Sequence, residues 1–111
     1  MRCDEENCNP NFSKIQTIQK YFRALHCPIR WDIIAIIGHT QKGTNEIYKE
    51  LENSGETLAK SSLYYHLSEL RTAGLIDVAD YREEGGGAPE KLWILKTTEI
   101  HIDLLEDLNL E

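Results

Sequence analysis

The sequence predicts a mostly α domain with one small β-hairpin, in the order α-α-α-α-β-β-α. Three observations predict it. Four segments before residue 74 space their apolar residues three and four apart, as one face of a helix requires. After Gly74 the period changes to alternation, twice, around a glycine-rich loop. A helical stripe of isoleucine and leucine then returns near the C-terminus.

The elements follow in order. Phe12, Ile15, Ile18, Phe22 and Leu25 form the first stripe, with Asn11 or Ser13 placed to cap it. Pro28 ends that helix and opens the next, because proline fits a first helical turn. The second helix, Ile29 to Ile37, is apolar around much of its circumference (Trp31, Ile33, Ile34, Ile36, Ile37) and reads as a central core helix stopped by Gly38. Gln41-Lys42-Gly43-Thr44 reads as a polar turn, with Thr44 as N-cap of a third helix on which Ile47, Tyr48 and Leu51 share a face. Asn53-Ser54-Gly55-Glu56 breaks it. The fourth helix runs from Ser61 to Ala73, with Leu63, Leu67 and Leu70 inward and Gly74 at a left-handed C-cap.

Leu75 to Tyr81 alternates as a strand, with Ile76, Val78 and Asp80 on one face. Arg82 to Glu90 is a turn-rich loop containing Gly85-Gly86-Gly87 and Pro89, and Lys91 to Lys96 is the returning strand. Thr97 or Thr98 caps a last helix, 97–111, whose stripe is Ile100, Leu104, Leu105 and Leu108. Helices three and four form a helix-turn-helix, and the hairpin is its wing: a winged helix-turn-helix. The expected organisation is a flexible acidic arm, residues 1–11, followed by one domain, residues 12–111. No repeat, linker or second domain interrupts it.

A chain of 111 residues suits one domain with a modest core. No apolar run approaches the roughly 20 residues that span a bilayer. The acidic N-terminus lacks the apolar core of a signal peptide, so the expected location is the cytoplasm. Three cysteines outside a secretory context do not make a disulfide framework. The net charge of −7 argues against nucleic acid until it is mapped. Residues 1–11 carry −2 and residues 99–111 carry −5, which leaves residues 12–98 neutral, 11 acids against 11 bases. Acidic ends can coexist with a locally positive DNA-facing surface.

Two segments carry a family resemblance. Ala24-Leu25-His26-Cys27-Pro28-Ile29-Arg30-Trp31-Asp32-Ile33-Ile34 is similar to the junction between the first two helices of the ArsR-like winged-helix repressors. Ser61 through Ile76, with its His66-Leu67-Ser68-Glu69-Leu70-Arg71-Thr72-Ala73-Gly74-Leu75, resembles that family's recognition helix. The pattern is also similar to PadR-like and MarR-like regulators. The resemblance implies a homodimer joined through its first and last helices, with the fourth helix in the DNA major groove.

The residues themselves point the same way. With the three leucines inward, the fourth helix offers Ser61, Ser62, Tyr65 and Ser68, with Lys60 and Tyr64 at its entry. Hydroxyls bond phosphates or base edges, and tyrosine also packs on thymine methyls. Arg30 and Lys42 are candidate backbone contacts, Arg82 a candidate minor-groove contact near the wing tip, and Lys91 a phosphate contact. Tyr64 and Tyr65 also read as ordinary surface aromatics, Arg82 as part of a solvated turn, and His66 as a packing or hydrogen-bonding residue. Few arginines suit bidentate guanine contacts, so useful affinity calls for a dimer. Its candidate interface is Phe12, Ile15, Ile100, Leu104, Leu105 and Leu108.

Many relatives of this type respond to metals. One class carries a cysteine pair in the third helix, and Thr44 to Asn53 contains none. Glu99-Ile100-His101 resembles half of another class's site, whose second half would fall beyond Glu111. Cys3, Cys8 and Cys27 are the remaining candidate ligands; no resident cofactor is expected. No nucleophile with its base, carboxylate pair or phosphate loop is legible, so an enzyme is not expected; Gly85-Gly86-Gly87 leads into Ala88-Pro89 and a strand rather than a helix. The alternative to a DNA-binding regulator is a winged helix that binds protein through its acidic faces.

Overall fold

In the computed structural model, which describes residues 12–83 and 87–105, the elements are α1 (Phe12–Ala24), α2 (Pro28–Ile37), β1 (Lys42–Gly43), α3 (Thr44–Asn53), α4 (Lys60–Thr72), β2 (Ile76–Arg82) and β3 (Glu90–Leu95). Pro28 occupies the first turn of α2, as its fixed φ favours. Gly38 and Gly74 both adopt positive φ, 55° and 84°, where the chain leaves α2 and α4.

Ile33 and Ile37 from α2, Ile47 and Leu51 from α3, Leu63, Leu67 and Leu70 from α4, and Ile76 at the start of β2 are fully buried together. Each such side chain contributes about 1.5–3 kcal/mol of transfer free energy. Trp93 closes this core from the sheet. Its indole N–H donates to the Thr44 hydroxyl at 2.9 Å, which satisfies a buried donor.

The sheet is antiparallel, in the order β1-β3-β2. β1 departs from the turn that the sequence predicts at Lys42 and Gly43, which pair with Trp93 and Leu92. A two-residue strand has no periodicity to read; its partner defines it. Thr44 is likewise not the N-cap of α3. Gly43 holds that position, its N–H bonded to the Glu46 carboxylate at 2.7 Å, and the Thr44 hydroxyl is taken by Trp93. A bulge between Val78 and Asp80 shifts the register of β2, so Val78 opposes Trp93 whereas Asp80 opposes Leu92. Asp80 thus leaves the face it was expected to share with Ile76 and Val78.

The C-terminal expectation is corrected. Residues 97–105 are not helical, and 106–111 lie outside the described residues. The Thr97 hydroxyl donates to the Glu99 carbonyl at 2.9 Å, a local turn rather than a cap that accepts from the helix ahead. Thr97, Thr98, Ile100 and Ile102 are β-branched, which weakens a helix with no packed face. The 1–11 arm, with Cys3 and Cys8, also lies outside the described residues. No helix among those described is long and apolar enough to cross a membrane.

Candidate nucleic-acid interface

Viewed along α4, the buried leucines leave three exposed sectors, because residues three and four apart share a side. Lys60, Tyr64, Ser68 and Arg71 face the wing. Ser61, Tyr65 and Thr72 point most directly away from the core. Ser62, His66 and Glu69 turn toward α2. Tyr64 and Tyr65 are both more than half exposed, and Ser61, Ser62 and Ser68 are exposed.

Between the first sector and the wing lies an open groove of about 590 Å³. Lys60, Tyr64, Ser68 and Arg71 form its helix side, and Pro89, Glu90 and Lys91 its wing side. Of the expected contacts, the structure therefore gathers Lys60, Tyr64, Ser68 and Lys91 around one concavity, with Ser61, Ser62 and Tyr65 on the adjoining crest. Lys60 donates to the Asn45 side chain at 2.8 Å and sits over the Tyr48 ring, and Lys91 sits over Trp93.

Arg71 was not among the expected residues. It lies seven residues after Tyr64 and three after Ser68, a spacing that would have found it. Its Nε also pairs with Asp77 at 3.0 Å. The Asp77 carboxyl is held below its ordinary value by the Val78 backbone N–H it accepts from, and further by the Arg71 charge.

Three further expected contacts make bonds within the scaffold. Arg30 is buried, 5% exposed. It donates from Nε to Nδ1 of His66 at 3.0 Å and from Nη1 to the Ala24 carbonyl at 3.1 Å. Lys42 is half-buried and donates from Nζ to the Ile36 carbonyl at 2.6 Å, satisfying the C-terminal end of α2. Arg82 is the last residue of β2, where it pairs with Glu90 at the base of the wing loop. It bridges Glu90 at 3.1 Å and Glu46 at 3.3 Å, and Glu90 also accepts from the Asn45 N–H at 2.7 Å. The Gly43 N–H, and then Arg82, hold the Glu46 carboxyl below its ordinary range. The base of the wing loop and the start of α3 are thus one charge-knit unit. Periodicity cannot reveal such fates, because the partners lie 36 residues away for Arg30 and for the Arg82–Glu46 pair.

On the far side of the domain, Phe22 and Trp31 are 63% and 54% exposed, and Ile15 and Ile100 more than a third. Leu104 and Leu105 are largely exposed. The apolar residues expected at a dimer interface are thus uncovered wherever they are described; Leu108 is outside the described residues, and nothing is shown of the Phe12 side chain. Cys27 is half-buried ahead of α2. Among the described residues no three His, Cys, Asp or Glu side chains converge as a metal ion would need.

An α2–α3–α4 core, with α4 exposed along its outer side and flanked by an antiparallel wing, defines a winged-helix domain. No protein-family model and no curated protein matches the sequence. Among solved structures, the chain is similar to the Vibrio cholerae ferric uptake regulator Fur, whose crystal structure is described as revealing a rearrangement of its DNA-binding domains. That similarity has a TM-score of 0.46 and 23% identity over 65% of this chain, and spans 53% of the other. The winged-helix assignment stands on the elements and sheet of this chain.

Proposed function

We propose that this domain binds double-stranded DNA as a cytoplasmic homodimer and regulates transcription, in the manner of the ArsR-like repressors that two of its segments resemble. Residues 61–73 would enter the major groove, and the wing, 82–91, would lie against the flanking backbone. A symmetric dimer then reads a palindromic operator whose half-sites are about one helical turn (~34 Å) apart. The observation that carries this reading is the exposed arc of Ser61, Ser62, Tyr64, Tyr65 and Ser68 on a helix whose other side is sealed in the core. Lys60 and Lys91 stand at its margins as phosphate contacts. The exposed apolar side chains of α1, α2 and the C-terminal segment are the surface a second copy would cover.

Fluorescence anisotropy on a duplex selected by the protein from a random library, across a salt series, tests this. Selective binding with log K falling by about 0.9 per neutralised phosphate per log unit of salt is the expected result.

One observation favours a second reading. From Ile76 to Leu95 the wing carries five acids (Asp77, Asp80, Glu83, Glu84, Glu90) against Arg82 and Lys91, a net −3. A wing of that charge suits a basic protein partner better than phosphate. Absence of DNA binding even at low salt would favour that partner.

A further inference from the structure

The proposed DNA reading uses the surface of α4 and leaves unexplained a buried cation behind it. Arg30 has its guanidinium in the interior, where an unpaired charge is costly. Among the described residues its hydrogen-bond partners include no carboxylate: Nη1 donates to the Ala24 carbonyl, in the last turn of α1, and Nε donates to Nδ1 of His66. Its charge also lies 5.5 Å from the centre of the Tyr65 ring, within cation–π range. Tyr65 and His66 are consecutive, their rings tilted at 56° with centroids 5.7 Å apart. One guanidinium therefore touches the end of α1, the α2-facing side of α4 and the side chain on the crest of α4.

We infer that Arg30 is a positioning residue for DNA recognition: its guanidinium, fixed by the Ala24 carbonyl and His66 Nδ1, holds Tyr65 in the orientation that reads the major groove. The inference rests on the DNA-binding reading and deepens it. Tyr65 is 57% exposed, and without that contact its side chain would sample several rotamers that binding must then freeze. Arg30 removes that cost beforehand.

The contact also fixes the state of His66. Nδ1 can accept from Arg30 only if it carries no proton, so the neutral ring has its proton on Nε2. Burial, and then the Arg30 charge, oppose protonation. The elements packed on α4 add little else of charge there. α2 offers Arg30 and the exposed Asp32, β2 offers Asp77, which Arg71 engages, and α4 itself has Glu69 on the same side. Protonated His66 would turn Nδ1 into a donor facing a donor. Arg30 would then lose its anchor and Tyr65 its support.

The test uses the full chain, with a duplex it selects from a random library at pH 7.5 and a random duplex as control. Arg30→Met should lower the ratio of selected to random affinity by about tenfold, the low end of one good base contact, while leaving the salt slope unchanged. Arg30→Lys should not restore it, because an ammonium lacks the planar fork. Wild-type selectivity should fall as pH drops from 7.5 to 5.5. His66→Asn, whose Oδ1 can accept where Nδ1 did without titrating, should stay selective and flat across that range. Independently of DNA, long-range 1H–15N spectra of the free protein should show the Nε2–H form of His66, with a titration midpoint that rises in Arg30→Met. Retained selectivity in Arg30→Met, or a wild-type pH profile in His66→Asn, would overturn the inference. If no duplex is selected, the DNA reading fails and takes Tyr65 positioning with it; an unmoved His66 midpoint alongside normal DNA binding would refute the Arg30–His66 link alone.

Discussion

α1 and α4 are both 13 residues long and both carry an apolar stripe, yet they meet opposite fates. In α4 the stripe of Leu63, Leu67 and Leu70 is sealed in the core. Among the described side chains of α1 only Ala24 is buried; Ile18, Tyr21 and Leu25, the last just past its end, are half-covered, and Ile15 and Phe22 face outward. The difference teaches that amphipathic periodicity announces a partner without saying which chain supplies it. α4 finds its partner in cis and can spend its outer side on recognition. α1 keeps Ile15 and Phe22 exposed among the described residues.

Substitutions can break or sharpen that contrast. The largest effect should come from Leu67→Ala on the sealed stripe, which should cost about 2–5 kcal/mol and lower the melting temperature steeply. Joint replacement of Phe22 and Trp31 by glutamate should instead leave the melt of the isolated domain nearly unchanged while shifting sedimentation from dimer to monomer and abolishing tight DNA binding. A large loss of melting temperature there would mean that α1 is sealed in cis after all. Replacing Leu104 and Leu108 with charged residues should act in the same direction. Thr44→Val, which strands the Trp93 indole N–H, should cost about 1–3 kcal/mol, read by denaturant midpoint. Ser62→Ala with Tyr65→Ala should weaken selective binding by about tenfold or more without moving the melt. A melt that collapses would assign these residues to the core.

The smallest effect is a dependence on pH. The folded state holds His66 below its ordinary 6.5. The unfolded chain therefore binds the proton more readily, and stability is complete above pH 6.5 and declines as pH falls below it. Glu46 and Asp77, also held low, withdraw their contribution only in more acid solution, below their ordinary 4.5 and 3.8. Thermal melts from pH 8 down to about pH 2 should show two separate declines, and His66→Asn should erase the first.

Much of the fold was legible because local signals agreed. Pro28, Gly38 and Gly74 punctuate the helices where their backbone preferences require, and the leucine spacing oriented α4 correctly. What could not be read depended on partners distant in sequence. β1 exists because β3 lies beside it, and Arg30 is interior because His66 and Ala24 receive it. The last helix was inferred from a stripe, and a stripe without a covered face does not hold a β-branched segment helical. In the candidate site, the helix residues Lys60, Ser61, Ser62, Tyr64, Tyr65 and Ser68 came from periodicity and stand exposed. Of the isolated cations Arg30 is buried and Lys42 and Arg82 are partly exposed, and each has an acceptor that periodicity does not encode.

Gly43 has a mechanical consequence. A β-carbon there would overlap the Glu90 carboxylate and the Arg82 guanidinium, so the backbone passes directly beneath the base of the wing loop. With Glu90 also seated on the Asn45 N–H, hairpin and helix-turn-helix are joined at that point. In the proposed dimer, a signal would then swing helix and wing together as one lever rather than flex the wing on its own.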